Sequence, residues 1–242
     1  LILPSTTLLV FDPMPFNALL DGYRRFRRGP YQEQRARYDA LAALGQKPRV
    51  MVIACCDSRV DPSIVFDAAP GQMFVLRHIA ALVPPCEPDG KHHSASAAIE
   101  YAVTQLGIDH VVIFGHGRCG GIQASLSGQF AHAPECNGGF IHHWMEIIEP
   151  AREQVAAAAA LSPDVDAQRA LELAAIRVSI DNLRTFPFVR ERGTRGPDDP
   201  RHLLRYRRRP AARARSGERQ LFACQHLRGA GGCRLNRRTL LR

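Results

Sequence analysis

Three short, densely apolar runs constrain this chain more than any other feature: residues 49–54 (RVMVIA), 73–76 (MFVL) and 111–114 (VVIF). Each is too short for a core helix, and none alternates with polar residues. Such runs fit strands that are covered on both faces, as in a parallel sheet. Between the last two, residues 94–106 (SASAAIEYAVTQL) show helical spacing with a Ser at the start. A further helix begins after the Gly-rich turn at 121–126, and Ala/Leu-rich helical segments occupy 142–160 and 165–184. Upstream, residues 16–44 read as one or two helices broken at Gly29-Pro30. Strands alternating with helices predict an α/β fold with a parallel-centred β-sheet flanked by helices.

At 242 residues and 45% hydrophobic content, the chain can bury one sizeable core. No apolar run reaches the ~18 residues that a membrane span needs. The opening LILPSTTLLVF lacks a basic n-region and a small-residue cleavage site, so no secretory signal is expected and the location is expected to be cytoplasmic. The first Met is Met14, directly before a helical segment, and residues 1–13 read as a non-native upstream extension. Seven cysteines are an odd number, which argues against a disulfide framework and for metal binding or catalysis.

The net charge of +9 is a property of one region. Residues 196–242 hold thirteen Arg, no Lys and three acids (Asp198, Asp199, Glu218), which leaves the rest of the chain near neutral. Within that region, 205–220 (RYRRRPAARARSGERQ) has neither a helical stripe nor strand alternation, and its composition predicts disorder or a basic arm.

The chemistry-bearing residues follow two of the predicted strands. Strand 49–54 runs into Cys55-Cys56-Asp57-Ser58-Arg59, and strand 111–114 into Gly115-His116-Gly117-Arg118-Cys119-Gly120-Gly121. Sites in parallel sheets form beyond the carboxyl ends of strands, so a Cys and a His-x-x-Cys pair should meet there. Thiolate and imidazole are ligands zinc prefers, and three protein ligands leave the open position of a catalytic site. Cys119 falls at a helix N-terminus, which favours its thiolate. Taken singly, His-x-x-Cys is weak, because small buried cysteines are common. The neighbouring Asp-Ser-Arg makes the metal reading the stronger one. Residue types alone leave Cys55 and Cys56 both open as ligands.

Cys-x-Asp-Ser-Arg followed some sixty residues later by Gly-His-x-x-Cys-Gly-Gly resembles the signature of the β-class carbonic anhydrases. The stretches PGQMFVLRHIAALVPP, SAAIEYAVTQLGIDHVVIFGHGRCGG and RVSIDNLRTFPFV are similar to that family as well. The resemblance runs from about Pro15 to Arg192, departs at His78, where the family usually has Asn, and stops beyond 193. It implies a zinc domain over 14–195, with one Zn2+ per subunit held by Cys55, His116 and Cys119. The implied reaction is reversible hydration of carbon dioxide to bicarbonate and a proton, a carbonate dehydratase activity. Cys56 stands where the family has Ser or Ala and is expected to point away from the metal. Asp57 and Arg59 match a catalytic carboxylate–guanidinium dyad. Gln46, Phe74, Ile79, Tyr101 and the Gly120 amide match the small substrate pocket, part of which comes from a neighbouring subunit. The N-terminal helices are expected to pack on a dimer partner, with a homodimer or higher even oligomer as the working unit.

The chemistry agrees with these roles. Zinc lowers the pKa of bound water towards ~7, and two thiolates that cancel its charge weaken that effect. A carboxylate at Asp57 that accepts a hydrogen bond would orient the nucleophile, with Arg59 holding it ionised. Phe74, Ile79 and Val83 suit a small apolar substrate. His78 and the pair His92-His93 are candidate proton carriers, more simply read as solvated loop residues. In some family members the counterpart of Asp57 closes onto zinc at lower pH, so activity is expected to rise with pH.

Other readings compete. The same zinc site could hydrolyse CS2 or COS, depending on access. Gly115-x-Gly117-x-x-Gly120 matches a dinucleotide-binding fingerprint, but 128–141 (GQFAHAPECNGGFI) lacks the acid-terminated strand that such a site needs. The Arg-rich region would bind nucleic acid only non-specifically, with Tyr206 and Phe222 as its aromatics. Neither a specific nucleic acid nor a membrane is an expected partner. A one-base shift of reading frame at Asp198 permits Thr-Ile-Arg-Gly-Thr-Tyr-Phe-Gly-Ile-Ala, a family-like strand. Residues 196–242 are thus expected to be frameshifted and disordered, with an edge strand missing.

Overall fold

A computed structural model describes residues 13–134, 136–137, 139–162, 164–194 and 220–226. It divides into two units, Leu1–Gly45 and Gln46–Arg242. The first holds helices α1 (Phe16–Arg28), α2 (Pro30–Glu33) and α3 (Arg35–Leu44). Pro30 opens α2 at a position where its missing N–H costs nothing. Phe26, Tyr31 and Tyr38 form an aromatic triangle with centroids 5.2–6.0 Å apart, and the Arg27 guanidinium lies 4.3 Å over Tyr31. None of the three helices buries a residue, and Met14, Phe16, Leu19, Leu20 and Tyr23 are exposed.

The second unit is built on a sheet of order β2-β1-β3-β4. Strands β1 (Val50–Cys55), β2 (Met73–His78) and β3 (His110–His116) are parallel, with Cys55 opposite His78 and Ala54 opposite Phe114. The apolar runs have the predicted cause. Met51, Ile53, Val111 and Ile113 pack on one face with Ile99, Val103, Ile176 and Leu183. Val52, Ala54 and Phe114 pack on the other with Leu82, Ile122, Ile148 and Leu171. Side chains alternate between faces, so covering both faces demands an unbroken apolar run.

All three strands run further than the apolar residues suggest. β1, β2 and β3 end on Cys55, His78 and His116, because backbone pairing continues where side-chain hydrophobicity stops. After β1 comes the short helix α4 (Pro62–Val65), and the helix expected over 94–106 is α5 (Ser94–Glu100) continued by a π-helical turn, Tyr101–Gln105. It is followed by α6 (Gly120–Ser127), α7 (Gly139–Met145), α8 (Glu149–Leu161), α9 (Ala167–Leu183) and α10 (Pro187–Thr194). Among the described residues no strand lies between α6 and α7, so the acid-terminated strand of a dinucleotide site is missing there.

Disorder and a missing edge strand are expected within 196–242, yet Gln220–His226 forms β4, antiparallel to β3 at the edge of the sheet. The Arg-rich composition of the whole region masks the short run LFAC. The rest of 196–242 lies outside the described residues, as do residues 1–12. No helix of the described residues is long and apolar enough to cross a membrane.

Candidate metal centre

Parallel register brings the carboxyl ends of β1 and β3 together, and with them Cys55 and His116. The turn after β3 returns Cys119 to the same place as the N-cap residue of α6. One donor atom from each of Cys55, His116 and Cys119 lies within 4.8 Å of the other two. All three residues are buried, at 6%, 4% and 3% exposure. Cys56, the next residue, is exposed.

The imidazole is oriented for ligation. His116 Nδ1 lies 3.0 Å from the Gly117 carbonyl, which can only accept, so the proton is assigned to Nδ1. Arg59 Nη2 is also 3.2 Å from Nδ1, but its two hydrogens have acceptors in Asp57 Oδ2 (2.7 Å) and the Arg118 carbonyl (3.2 Å). Nε2 therefore carries the lone pair, and it is buried without a hydrogen-bond partner among the described residues. An orphaned acceptor facing two thiols is costly unless something electron-poor fills the space. Two thiolates and one imidazole are a donor set that zinc accepts, and the residues fit that metal.

The local field also favours a cation. A hydrogen bond from Cys119 pulls the Cys55 thiol down to about 4 against the effect of burial, and the backbone amides of Asp57 and Ala80 add to it. Cys119 moves the other way, because it holds the proton shared with Cys55 and is buried. The Gly121 and Ile122 amides oppose that rise. Burial works against an imidazolium at His116, but Cys55 and Asp57 outweigh it and raise its pKa.

The Ala80 amide reaches Cys55 through an unusual backbone. Ala80 and Ala81 both take left-handed conformations, with φ 58° and 54°. Such residues are strained without glycine and persist only where the surroundings fix them. Gly121 gives that turn room, for a Cβ there would lie 2.7 Å from Ile79 Cγ2.

Asp57 and Arg59 meet fork to fork: Arg59 Nε donates to Oδ1 at 2.8 Å and Nη2 to Oδ2 at 2.7 Å, and the Arg59 amide adds a third bond to Oδ1 at 3.0 Å. The guanidinium holds the Asp57 carboxyl well below the usual carboxylate range. Asp57 Oδ2 lies 3.8 Å from His116 Nε2, beside the ligand cluster.

The other expected site residues divide. Ile79 packs against α6 at Gly121, and Gly120 opens that helix. Gln46 is exposed in the segment before β1. Phe74 and Tyr101 stack on each other, with centroids 5.9 Å apart and Tyr101 50% exposed. Phe74 pairs with Met51, four residues before Cys55 and hence roughly 13 Å back along the strand. Val83 is fully buried in the core. His78, read as a solvated loop residue, is instead the last residue of β2. Both its ring nitrogens are buried without hydrogen-bond partners among the described residues and its ring meets Trp144 edge-on, so burial lowers its pKa. His93 sits in a loop against Asp89.

Two residues escape sequence reasoning. Arg77 donates to the carbonyls of Cys55 (3.1 Å) and Asp57 (2.9 Å) and to Asp61 Oδ2 (2.7 Å), tying down the ligand-bearing turn. Glu172 on α9 accepts from the Cys119 amide at 3.2 Å. An Arg closing an apolar strand, and a Glu inside the apolar run LELAAI, are the only signals the sequence offers for them.

Comparison with known proteins gives concordant matches. The family model described as carbonic anhydrase matches residues 50–197. Beta carbonic anhydrase 3 of Arabidopsis thaliana is 35% identical over 171 residues, covering 71% of this chain and 65% of that relative. The chain thus spans slightly less than two thirds of that relative's length. Among solved structures, the β-carbonic anhydrase CcaA is similar with a TM-score of 0.65 at 28% identity, covering 73% of this chain and 76% of that one. The β-carbonic anhydrase CafA of Aspergillus fumigatus gives 0.61 at 29% identity, covering 73% and 78%.

Proposed function

Because this chain belongs to the β-class carbonic anhydrase family, we propose that it catalyses the reversible hydration of carbon dioxide to bicarbonate and a proton. The observation that carries this is the buried Cys55–His116–Cys119 cluster, with an orphaned imidazole nitrogen and an ionised carboxylate at its edge. Cys55, His116 and Cys119 would hold zinc. When bound there, the metal supplies Lewis acidity that makes water a nucleophile near neutral pH.

The chain's own residues do the rest. Asp57, kept ionised by Arg59, accepts a proton in a hydrogen bond and so orients the attacking water. Arg59 also spans to the Arg118 carbonyl and so couples the β1 turn to the β3 turn. The Gly120 amide, at a helix N-terminus, suits a developing negative charge on oxygen. Ile79 supplies an apolar wall. Gln46, Phe74 and Tyr101 serve the site of a second subunit, since Phe74 and Tyr101 sit too far along the sheet for their own Cys55. That division requires a homodimer or a higher even oligomer, and the exposed apolar residues of α1 suit such a contact.

The functional domain is 14–195, working in the cytoplasm on small molecules without a nucleic acid or membrane partner. Cys55, Cys56, Cys86, Cys119 and Cys136 are free, which suits a reducing compartment. Residues 196–242 take no part in the chemistry. Sequencing the coding DNA tests the frameshift origin of that region, and a shifted frame without a strand pattern refutes it.

The test of function is zinc content together with CO2 hydration, for the wild type and Cys55→Ser. Stoichiometric zinc and hydration in the wild type, both lost in the variant, are expected. Stoichiometric zinc without hydration would move the assignment to hydrolysis of CS2 or COS at the same site.

A further inference from the structure

We propose that Glu172 is a positioning residue for the metal centre, acting through the backbone of Cys119. Helix α9 buries Leu171, Ala175, Ile176, Ser179, Ile180 and Leu183 along with Glu172, which is the one charged group among them. Its side chain is 3% exposed. A carboxylate so placed is expensive unless it is hydrogen-bonded. Its hydrogen bond runs from the Cys119 amide to Oε1, at 3.2 Å across 53 residues of sequence. Arg169 Nη1 stands 3.5 Å from Oε2 and has no hydrogen-bond partner among the described residues, so there the directional contact is the one to Cys119. Glu172 also lines a narrow cavity with Ala80, Gly115, His116 and Cys119, immediately behind the ligands.

The geometry of Cys119 shows why this bond matters. Cys119 is the N-cap of α6 and follows Arg118, whose φ is 53°. Its peptide thus sits at a sharp change of direction where no ladder bond steadies it. Glu172 fixes the N–H, while the Gly121 and Ile122 amides face the sulfur. The first contact sets the direction of the Cα–Cβ bond and the second favours one rotamer of Sγ about it. The same helix treats the opposite loop alike: Ser179 Oγ accepts the Val83 amide at 3.1 Å and Asn182 Nδ2 donates to the Val83 carbonyl at 2.8 Å. Residues 172, 179 and 182 share one face of α9, a row of polar groups set into an apolar surface. That row aligns both loops that carry groups around the metal.

This inference rests on the zinc reading above, and the experiment separates the two. Zinc affinity is measured by competition with a chromophoric chelator for the wild type, Glu172→Gln and Glu172→Leu. The thiolate-to-metal absorption of the cobalt(II) forms and the unfolding midpoints of the zinc-free forms accompany it. Gln keeps an acceptor oxygen at the same reach, and Leu removes it. Residues that orient a ligand typically change metal affinity by 10–100-fold, so Glu172→Leu should weaken zinc by about that factor and shift the cobalt band, with Glu172→Gln within about threefold of wild type.

Wild-type affinity and spectrum in Glu172→Leu overturn the proposal, even if the zinc-free midpoint falls. Equal losses in both variants overturn it too, because charge rather than the acceptor would then matter. Should the Leu variant not fold, Glu172→Asp, one methylene shorter, takes its place with a loss of about tenfold expected, and unchanged affinity overturns the proposal. A wild type with no zinc affinity overturns the metal reading itself, and this proposal with it.

Discussion

Gly120 and Gly121 are neighbours at the start of α6, yet they should respond oppositely to a methyl group. A Cβ on Gly120 meets nothing within 4 Å. A Cβ on Gly121 would lie 2.7 Å from Ile79 Cγ2, 3.6 Å from Ala80 Cβ and 3.8 Å from Met145 Sδ. Carbon atoms rest at about 3.5–4.0 Å, so Ile79 has to retreat by roughly 1 Å. It is poorly able to do so. Its carbonyl accepts from Trp144 Nε1 at 2.9 Å, its branched side chain is stiff, and the next two residues are already left-handed. Overpacking of this kind costs about 1–3 kcal/mol. Better helix propensity returns up to about 1 kcal/mol. Gly121→Ala should therefore lose about 1–2 kcal/mol, and at about 2–4 °C per kcal/mol for a chain of this size its midpoint should fall by about 2–8 °C. Gly120→Ala should stay within about 0.5 kcal/mol of wild type, as substitutions in open space do. Thermal unfolding of the zinc-free proteins reads both. Adding Ile79→Ala to Gly121→Ala removes the clashing methyl, so the pair should show a compensating coupling of about 1–2 kcal/mol. Equal midpoints for the two single variants would refute this account of the close approach between α6 and the Ile79–Ala81 turn.

Three further outcomes are expected. Cys56→Ser should keep stoichiometric zinc, because Cys56 is exposed where Cys55 is buried in the cluster; loss of metal from Cys56→Ser would reassign the ligand. Asp57→Asn breaks the fork with Arg59 and should lower kcat for CO2 hydration by about 10²-fold with zinc retained, the scale expected when a reacting group is misplaced; a change under twofold would remove Asp57 from the mechanism. Burial depresses the pKa of His78, so the unfolded chain takes up a proton below about pH 6.5 that the folded chain refuses. Stability from this group is present above pH 6.5 and falls as pH drops, by at most about 1.4 kcal/mol per unit. His78→Asn should flatten the fall in unfolding midpoint between pH 7 and pH 5, and an unchanged slope would count against a buried neutral imidazole.

Much of the architecture is set by local pattern. The runs 49–54, 73–76 and 111–114 read as strands because covering both faces of a sheet leaves no polar position in their middles. Cys55, Asp57, Arg59, His116 and Cys119 stand directly after those runs, so strand identity alone sends them to one end of the sheet. Local pattern does not reach the contacts that span the fold. Whether Cys55 or Cys56 faces the cluster depends on where β1 ends, and pairing with His78 carries it through Cys55. Arg77 grips the Cys55 carbonyl from 22 residues away, and Glu172 grips the Cys119 amide from 53. The burial of His78, the distance of Phe74 from its own Cys55, and β4 inside an Arg-rich region have the same origin. Each follows from which strand lies beside which and in what register. Hydrophobic periodicity carries a strand's facing but not its neighbour. The neighbour is chosen only when the backbone amides and carbonyls of separate strands pair and their side chains close a common core.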